Sequence, residues 1–235
     1  MSRSSACRTP PGRYRRGVPP STLAGFPVPS PHPLITYYDL STGERVELSG
    51  ATAANWVAKV AGFLTEELDA GRGTRIRIGL PSHWLRCVWL LGAWRIGAVV
   101  TDTDATIGLS GPELEATEPI RLAGALRPLG GRFVTPPSGF VDIAEAVPPM
   151  PDVFVDLDPP APSDPALDLA GRIETHASLL ARPAVADRIV QAPASVTRDA
   201  QTLAAVLAGG GSWVIVNGPA ADLAAIADQE RGRIV

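Results

Sequence analysis

The chain has 235 residues, 45% of them apolar and 19% charged, which suits one globular domain with a sizeable core and room for appendages. A net charge of −3 offers no electrostatic case for nucleic acid or an anionic membrane, and no apolar run approaches the roughly 18 residues of a spanning helix. Of 21 basic residues only Lys59 is a lysine, a codon bias of GC-rich bacterial genomes rather than a property of a fold.

Residues 1–33 are rich in Pro, Ser and Arg, with Arg3, Arg8, Arg13, Arg15 and Arg16 but no acidic residue before Asp39. Without an apolar period this segment cannot offset its ordering entropy, so a disordered leader is expected, with a basic interaction arm as the alternative. No apolar stretch follows the arginines, which argues against a secretion signal. Cys7 lies in this leader and Cys87 in an apolar segment, so no disulfide is expected and the cytoplasm is the default location.

Order is expected from Leu34. Ile35–Asp39 suits a strand, Ser41–Gly43 a turn and Arg45–Leu48 the returning strand of a hairpin. Ser49 can cap a helix on which Trp56, Val60, Phe63, Leu64 and Leu68 share one face, ended by Gly71 and Gly73. "RIRIGLP" alternates as a strand, Pro81 and Ser82 open a second helix, Gly97 stops it, and "AVVT" follows, a βαβ unit with parallel strands. "GRFV" (131–134) and "DVFVDLD" (152–158) read as further strands. Between Pro136 and Pro165 stand nine prolines, which favour loops. A helix over Thr197–Ala208, the strand "SWVIV", a helix from Pro219 to Ala227 and a terminal strand "RIV" complete the reading. The predicted fold is α/β, a layered, partly parallel sheet with flanking helices; the domain spans 34–235 with proline-rich loops at 136–168.

Four segments carry a resemblance. "LITYYDL" (Leu34–Leu40) resembles the "LTYxEL" opening of AMP-dependent synthetases, the acyl-CoA ligase and adenylation-domain superfamily. "LPSHWLRCVWLLGAWRIGAVVTDTD" (Leu80–Asp104) is similar to its next block. "THASLLA" (Thr175–Ala181) and "LAAVLAGGGSWVIV" (Leu203–Val216) resemble the segments around its later hydrophobic helix. The order is the same over Leu34–Val216, and "RPLGGRF" (Arg127–Phe133) is similar to short bacterial synthetase-like proteins with no settled activity. The resemblance implies a truncated adenylate-forming N-terminal domain.

It also implies a loss. Full synthetases carry "TSGTTGxPKG" just before the Thr-His block, where small residues, hydroxyls and a lysine close on ATP phosphates. Here "LAGRIE" (Leu169–Glu174) stands in that place, with one glycine, no hydroxyl, Arg172 for a lysine and Glu174 as a repelling charge. Gly209–Ser212 is the other glycine cluster and reads as a turn. The acidic metal-binding residue, the ribose-binding aspartate and the lysine-bearing C-terminal subdomain of the superfamily are not expected either.

The remaining candidates are few. His83, past a strand end at a helix start, and His176, in the block after the missing loop, are candidate ligand-binding residues, each with packing as the plainer reading. Asp102 and Asp104 flank Thr103 after a strand, a spacing that can hold a divalent cation against a sugar-nucleotide diphosphate but that commonly serves a turn, the reading favoured here. Cys87 reads as core, and no histidine spacing suits a metal. The expectation is a non-catalytic binding or interaction module without cofactor, its exposed face suited to a homodimer or protein partner and its small-molecule ligand unspecified. The alternative is a residual acyl- or nucleotide-binding ligase completed by a partner chain.

Overall fold

The computed structural model describes residues 20–219 and 222–235. Its first strand, β1 (Pro33–Asp39), turns through a Gly43 in the left-handed region (φ +74°) into β2 (Glu44–Ser49), the hairpin that the alternation predicts. Ser49 accepts the Thr52 N–H and so caps α1 (Gly50–Gly62), which widens into a π-helical turn over Phe63–Glu67 and ends well before the glycines at 71 and 73. Strand β3 (Arg75–Gly79), helix α2 (Trp84–Arg95) and strand β4 (Val99–Thr101) form the parallel βαβ unit. Gly92 of α2 lies so close to α1 that a Cβ there would stand 2.3 Å from Val60 Cγ1, which lets the two helices pack directly.

Four short strands follow: β5 (Ile107–Ser110), β6 (Ile120–Ala123), β7 (Val141–Asp142) and β8 (Pro165–Leu169). The one-turn α3 (Ile143–Ala146) lies between the last two, and β9 (Arg172–Thr175) returns antiparallel to β8. Then come α4 (His176–Leu180), β10 (Arg188–Gln191), α5 (Val196–Gly209), β11 (Ser212–Asn217), α6 (Leu223–Glu230) and β12 (Arg233–Ile234). These make two sheets rather than one. The first has the order β12-β10-β11-β1-β2, the second β7-β6-β5-β3-β4-β8-β9; in each only one edge strand, β2 or β9, runs antiparallel. One core cluster joins α1, α2 and α5 to both sheets, with Trp89, Trp94 and Trp213 inside it and Leu203 and Val206 facing it as their spacing predicts.

Three expectations need correction. "GRFV" and "DVFVDLD" are not strands. Val153, Val155 and Leu157 alternate as a strand would but are 77%, 71% and 93% exposed, with no neighbouring strand among the described residues. Of the expected leader, residues 1–19, including Cys7, lie outside the described residues. From Pro20 the chain is part of the body: Leu23 and Phe26 are buried in the core, because a 3₁₀ turn at Leu23–Gly25 docks against α2.

Candidate functional site

The carboxyl ends of β4 and β8 meet at one corner. Between β8 and β9 the chain reverses in two residues, Ala170 and Gly171, both with positive φ (+53° and +70°). The Ala170 N–H donates to Asp102 Oδ2 (2.8 Å), so the carboxylate after β4 holds the turn. Beside it, Arg75 Nη2 donates to Asp168 Oδ2 (2.8 Å), Thr101 Oγ1 (2.7 Å) and the Thr103 carbonyl (3.0 Å). Asp104 takes a left-handed conformation (φ +51°) in the same loop. The two aspartates are exposed, and no group of three or more His, Cys, Asp or Glu that could hold a metal occurs among the described residues.

Glu174 is not aimed at this turn. Buried at the far end of β9, it accepts from Arg182 Nη2 (3.1 Å) and Gln201 Nε2 (2.6 Å). Thr175 and Ser178 then form a reciprocal cap on α4. His176, the first residue of α4, is fully buried. Its Nδ1 accepts the Leu23 N–H (3.3 Å), which fixes the tautomer with hydrogen on Nε2; that atom has no partner among the described residues.

His83 is placed differently but treated alike. It follows β3, where the second sheet reverses direction (β4 on one side, β5 on the other), and caps α2: its Nδ1 accepts the Leu85 N–H (3.1 Å). The ring stands edge-on to Tyr37 of the other sheet at 4.4 Å, and Nε2 again has no partner among the described residues. Burial pushes both imidazoles down to about 4, against the opposing pull of Asp39 on His83 and of Asp164 on His176. Both are therefore neutral near pH 7. Asp102 thus joins the β8–β9 turn, while His83 belongs to a separate junction between the sheets.

That junction contains a polar network that sequence reasoning missed. Arg86 of α2 donates through Nη1 to Asp199 Oδ2 of α5 (2.6 Å) and to the Ala194 carbonyl (2.9 Å), and through Nε to the Leu80 carbonyl (2.6 Å). Ser82 donates to Asp199 Oδ2 (2.5 Å), Gln191 Nε2 to Oδ1 (3.0 Å), and Thr202 to Gln191 (2.9 Å). Burial pushes the Asp199 carboxyl upward, while Ser82, Arg86 and Gln191 pull it back. An arginine inside the apolar run "WLRCVWLL" was the available clue. Cys87, next to it, is buried, and burial raises its thiol pKa well above the ordinary value.

No family model matches the chain. A TIGR03089 family protein of Mycobacterium tuberculosis is 36% identical over 208 residues, which cover 80% of this chain and 84% of that protein. The chain belongs to the TIGR03089 family. Solved structures share this chain's fold at low sequence identity. An acyl-CoA synthetase of Brucella canis superposes with a TM-score of 0.70 at 16% identity over 86% of this chain and 44% of its own. For the Streptomyces lividans acetoacetyl-CoA synthetase the figures are 0.68, 17%, 85% and 39%. For the N-terminal domain of FACL13 of Mycobacterium tuberculosis they are 0.61, 16%, 85% and 57%. The chain therefore spans less than half the length of the two synthetases, and at these identities the likeness concerns the fold. No described helix is long and apolar enough to cross a membrane.

Proposed function

We propose that this family member is a non-catalytic form of the adenylate-forming architecture, acting in the cytoplasm as a binding or interaction module without a bound cofactor. One observation carries the reading: the β8–β9 link is two residues long. A phosphate cradle needs several consecutive N–H groups converging on an anion, and a two-residue reversal has none to spare. Its Ala170 N–H is already given to Asp102, so the corner presents a carboxylate where a polyphosphate would need donors. The bond also supports turn chemistry for Asp102 and, through its left-handed backbone, for Asp104, over a cation site. In the same way the backbone bonds at Nδ1 of His83 and His176 support packing roles over ligand binding.

The test is calorimetry. Titrating the whole chain with ATP and magnesium, and separately with an acyl-adenylate analogue, should give no heat of binding; a dissociation constant in the low micromolar range would refute the proposal. Pyrophosphate exchange into ATP with carboxylic acids should stay at background. Light scattering across a concentration series checks the module half of the proposal: a mass that doubles with concentration supports a homodimer, and a constant monomer mass leaves a different protein as the partner.

A further inference from the structure

Asp156 has an ionisable oxygen with no counterpart. Its Oδ1 accepts the Asp158 N–H (3.0 Å), while Oδ2 is buried without a hydrogen-bond partner among the described residues. It lines a groove of about 480 Å³ between the end of the first helix (Thr65, Glu66, Ala70) and the extended segment 153–158. Glu66, on the facing wall, makes no ion pair or hydrogen bond among the described residues, whereas Arg72 in the same groove is already held by Asp164 (2.7 Å) and Asp158 (3.3 Å). The groove therefore combines two uncompensated acids with the exposed apolar ladder Val153, Val155 and Leu157. Such a surface suits a cationic extended chain that also carries apolar side chains.

A segment of that chemistry belongs to this chain. Residues 8–19, "RTPPGRYRRGVP", hold four arginines, a tyrosine and a valine among prolines, with no acid. The described chain resumes at Pro20, close to Gly25, beside a second cavity lined by Gly25, Phe26, Arg95, Asp152, Val153 and Phe154. Val153 and Phe154 line both cavities, and Arg95 ties the two strands of chain by donating to the Ala24 carbonyl (2.6 Å) and the Phe154 carbonyl (3.4 Å). Arg16 and Arg13 precede Pro20 by four and seven residues, a reach of up to about 13 and 23 Å in extended chain.

We propose that the groove between the first helix and segment 153–158 is the docking site of the chain's own basic arm, residues 8–19, with an arginine meeting Asp156 and Glu66. Limited trypsin digestion of the full chain, read by intact mass, tests this. Bonds after Arg13, Arg15 and Arg16 should be cut about tenfold more slowly in the wild type than in a Val155→Ser/Asp156→Asn/Leu157→Ser variant, whose changes are at half-buried or exposed positions and should leave the circular dichroism unchanged. Equal rates would overturn the proposal. Protection should survive hundredfold dilution; its loss on dilution would overturn docking within one chain in favour of a second copy. A labelled peptide of residues 8–19 should bind an Arg13→Ser/Arg15→Ser/Arg16→Ser chain and not the wild type, and failure to bind that variant would equally refute the assignment. Neither ATP nor acyl ligand enters these measurements, so their outcome is independent of the phosphate-loop reading.

Discussion

Two of the arginine–aspartate pairs in this molecule have opposite surroundings. Arg86 and Asp199 meet between the sheets with side chains 8% and 1% exposed; Arg75 and Asp168 meet at the β8–β9 corner with 31% and 21% exposed. The chemistry is the same, but water competes for only one of them. In the first pair each charge depends on the other and on Ser82 and Gln191, so the network ties α2 to α5 and hence sheet to sheet. In the second, solvent takes over whatever the partner drops, and the corner is held chiefly by a tight turn and one capped N–H.

The largest expected effect tests that contrast. Asp199→Ala leaves a buried guanidinium unpaired and should cost about 3–5 kcal/mol of unfolding free energy in urea titration, while Arg86→Met with Asp199→Leu should recover most of it. A cost below about 1 kcal/mol for Asp199→Ala would place the clamp on the same footing as the corner. Next comes acid. His83 and His176 titrate near 4 in the fold against about 6.5 when unfolded, so the unfolded chain takes up protons first as pH falls. Their contribution is complete above pH 6.5 and is lost between there and pH 4, up to about 3 kcal/mol for each histidine. Urea midpoints at stepped pH should show the fall, and His83→Asn with His176→Gln should flatten it; an unchanged slope would assign the acid sensitivity to other groups.

Smaller effects belong to the corner. Gly171→Val forces a branched residue to φ +70° and should cost about 1–2 kcal/mol, whereas Ala170→Gly removes an existing left-handed penalty and should raise stability by up to about 1 kcal/mol. The smallest change is expected from Asp168→Asn, under about 1 kcal/mol by the same denaturation assay.

The same contrast explains what could be read from the sequence. The β1–β2 hairpin, α1 and the β3–α2–β4 unit were legible because each is specified within fewer than about 30 residues by a period and a cap. β5 escaped because a four-residue strand buried in mid-sheet shows no alternation, β6 because four residues are too few to display a period, and "DVFVDLD" misled because its alternation meets no neighbouring strand among the described residues. At the candidate site, the composition of "LAGRIE", with one glycine and no hydroxyl, could be read directly. The bond from Ala170 to Asp102, 68 residues earlier, and the pairing of Arg86 with Asp199, 113 residues later, were not, since neither has a local signature.

The pairing of Ile35 in β1 with Trp213 in β11 has a consequence for biosynthesis. Every strand of the second sheet lies between Arg75 and Thr175, so that sheet has all its members once Thr175 has been translated. The first sheet must wait for β10, β11 and β12, which begin only at Arg188. Until then β1, made well over a hundred residues earlier, exposes an unpaired flank on the nascent chain, the kind of edge that chaperones shield.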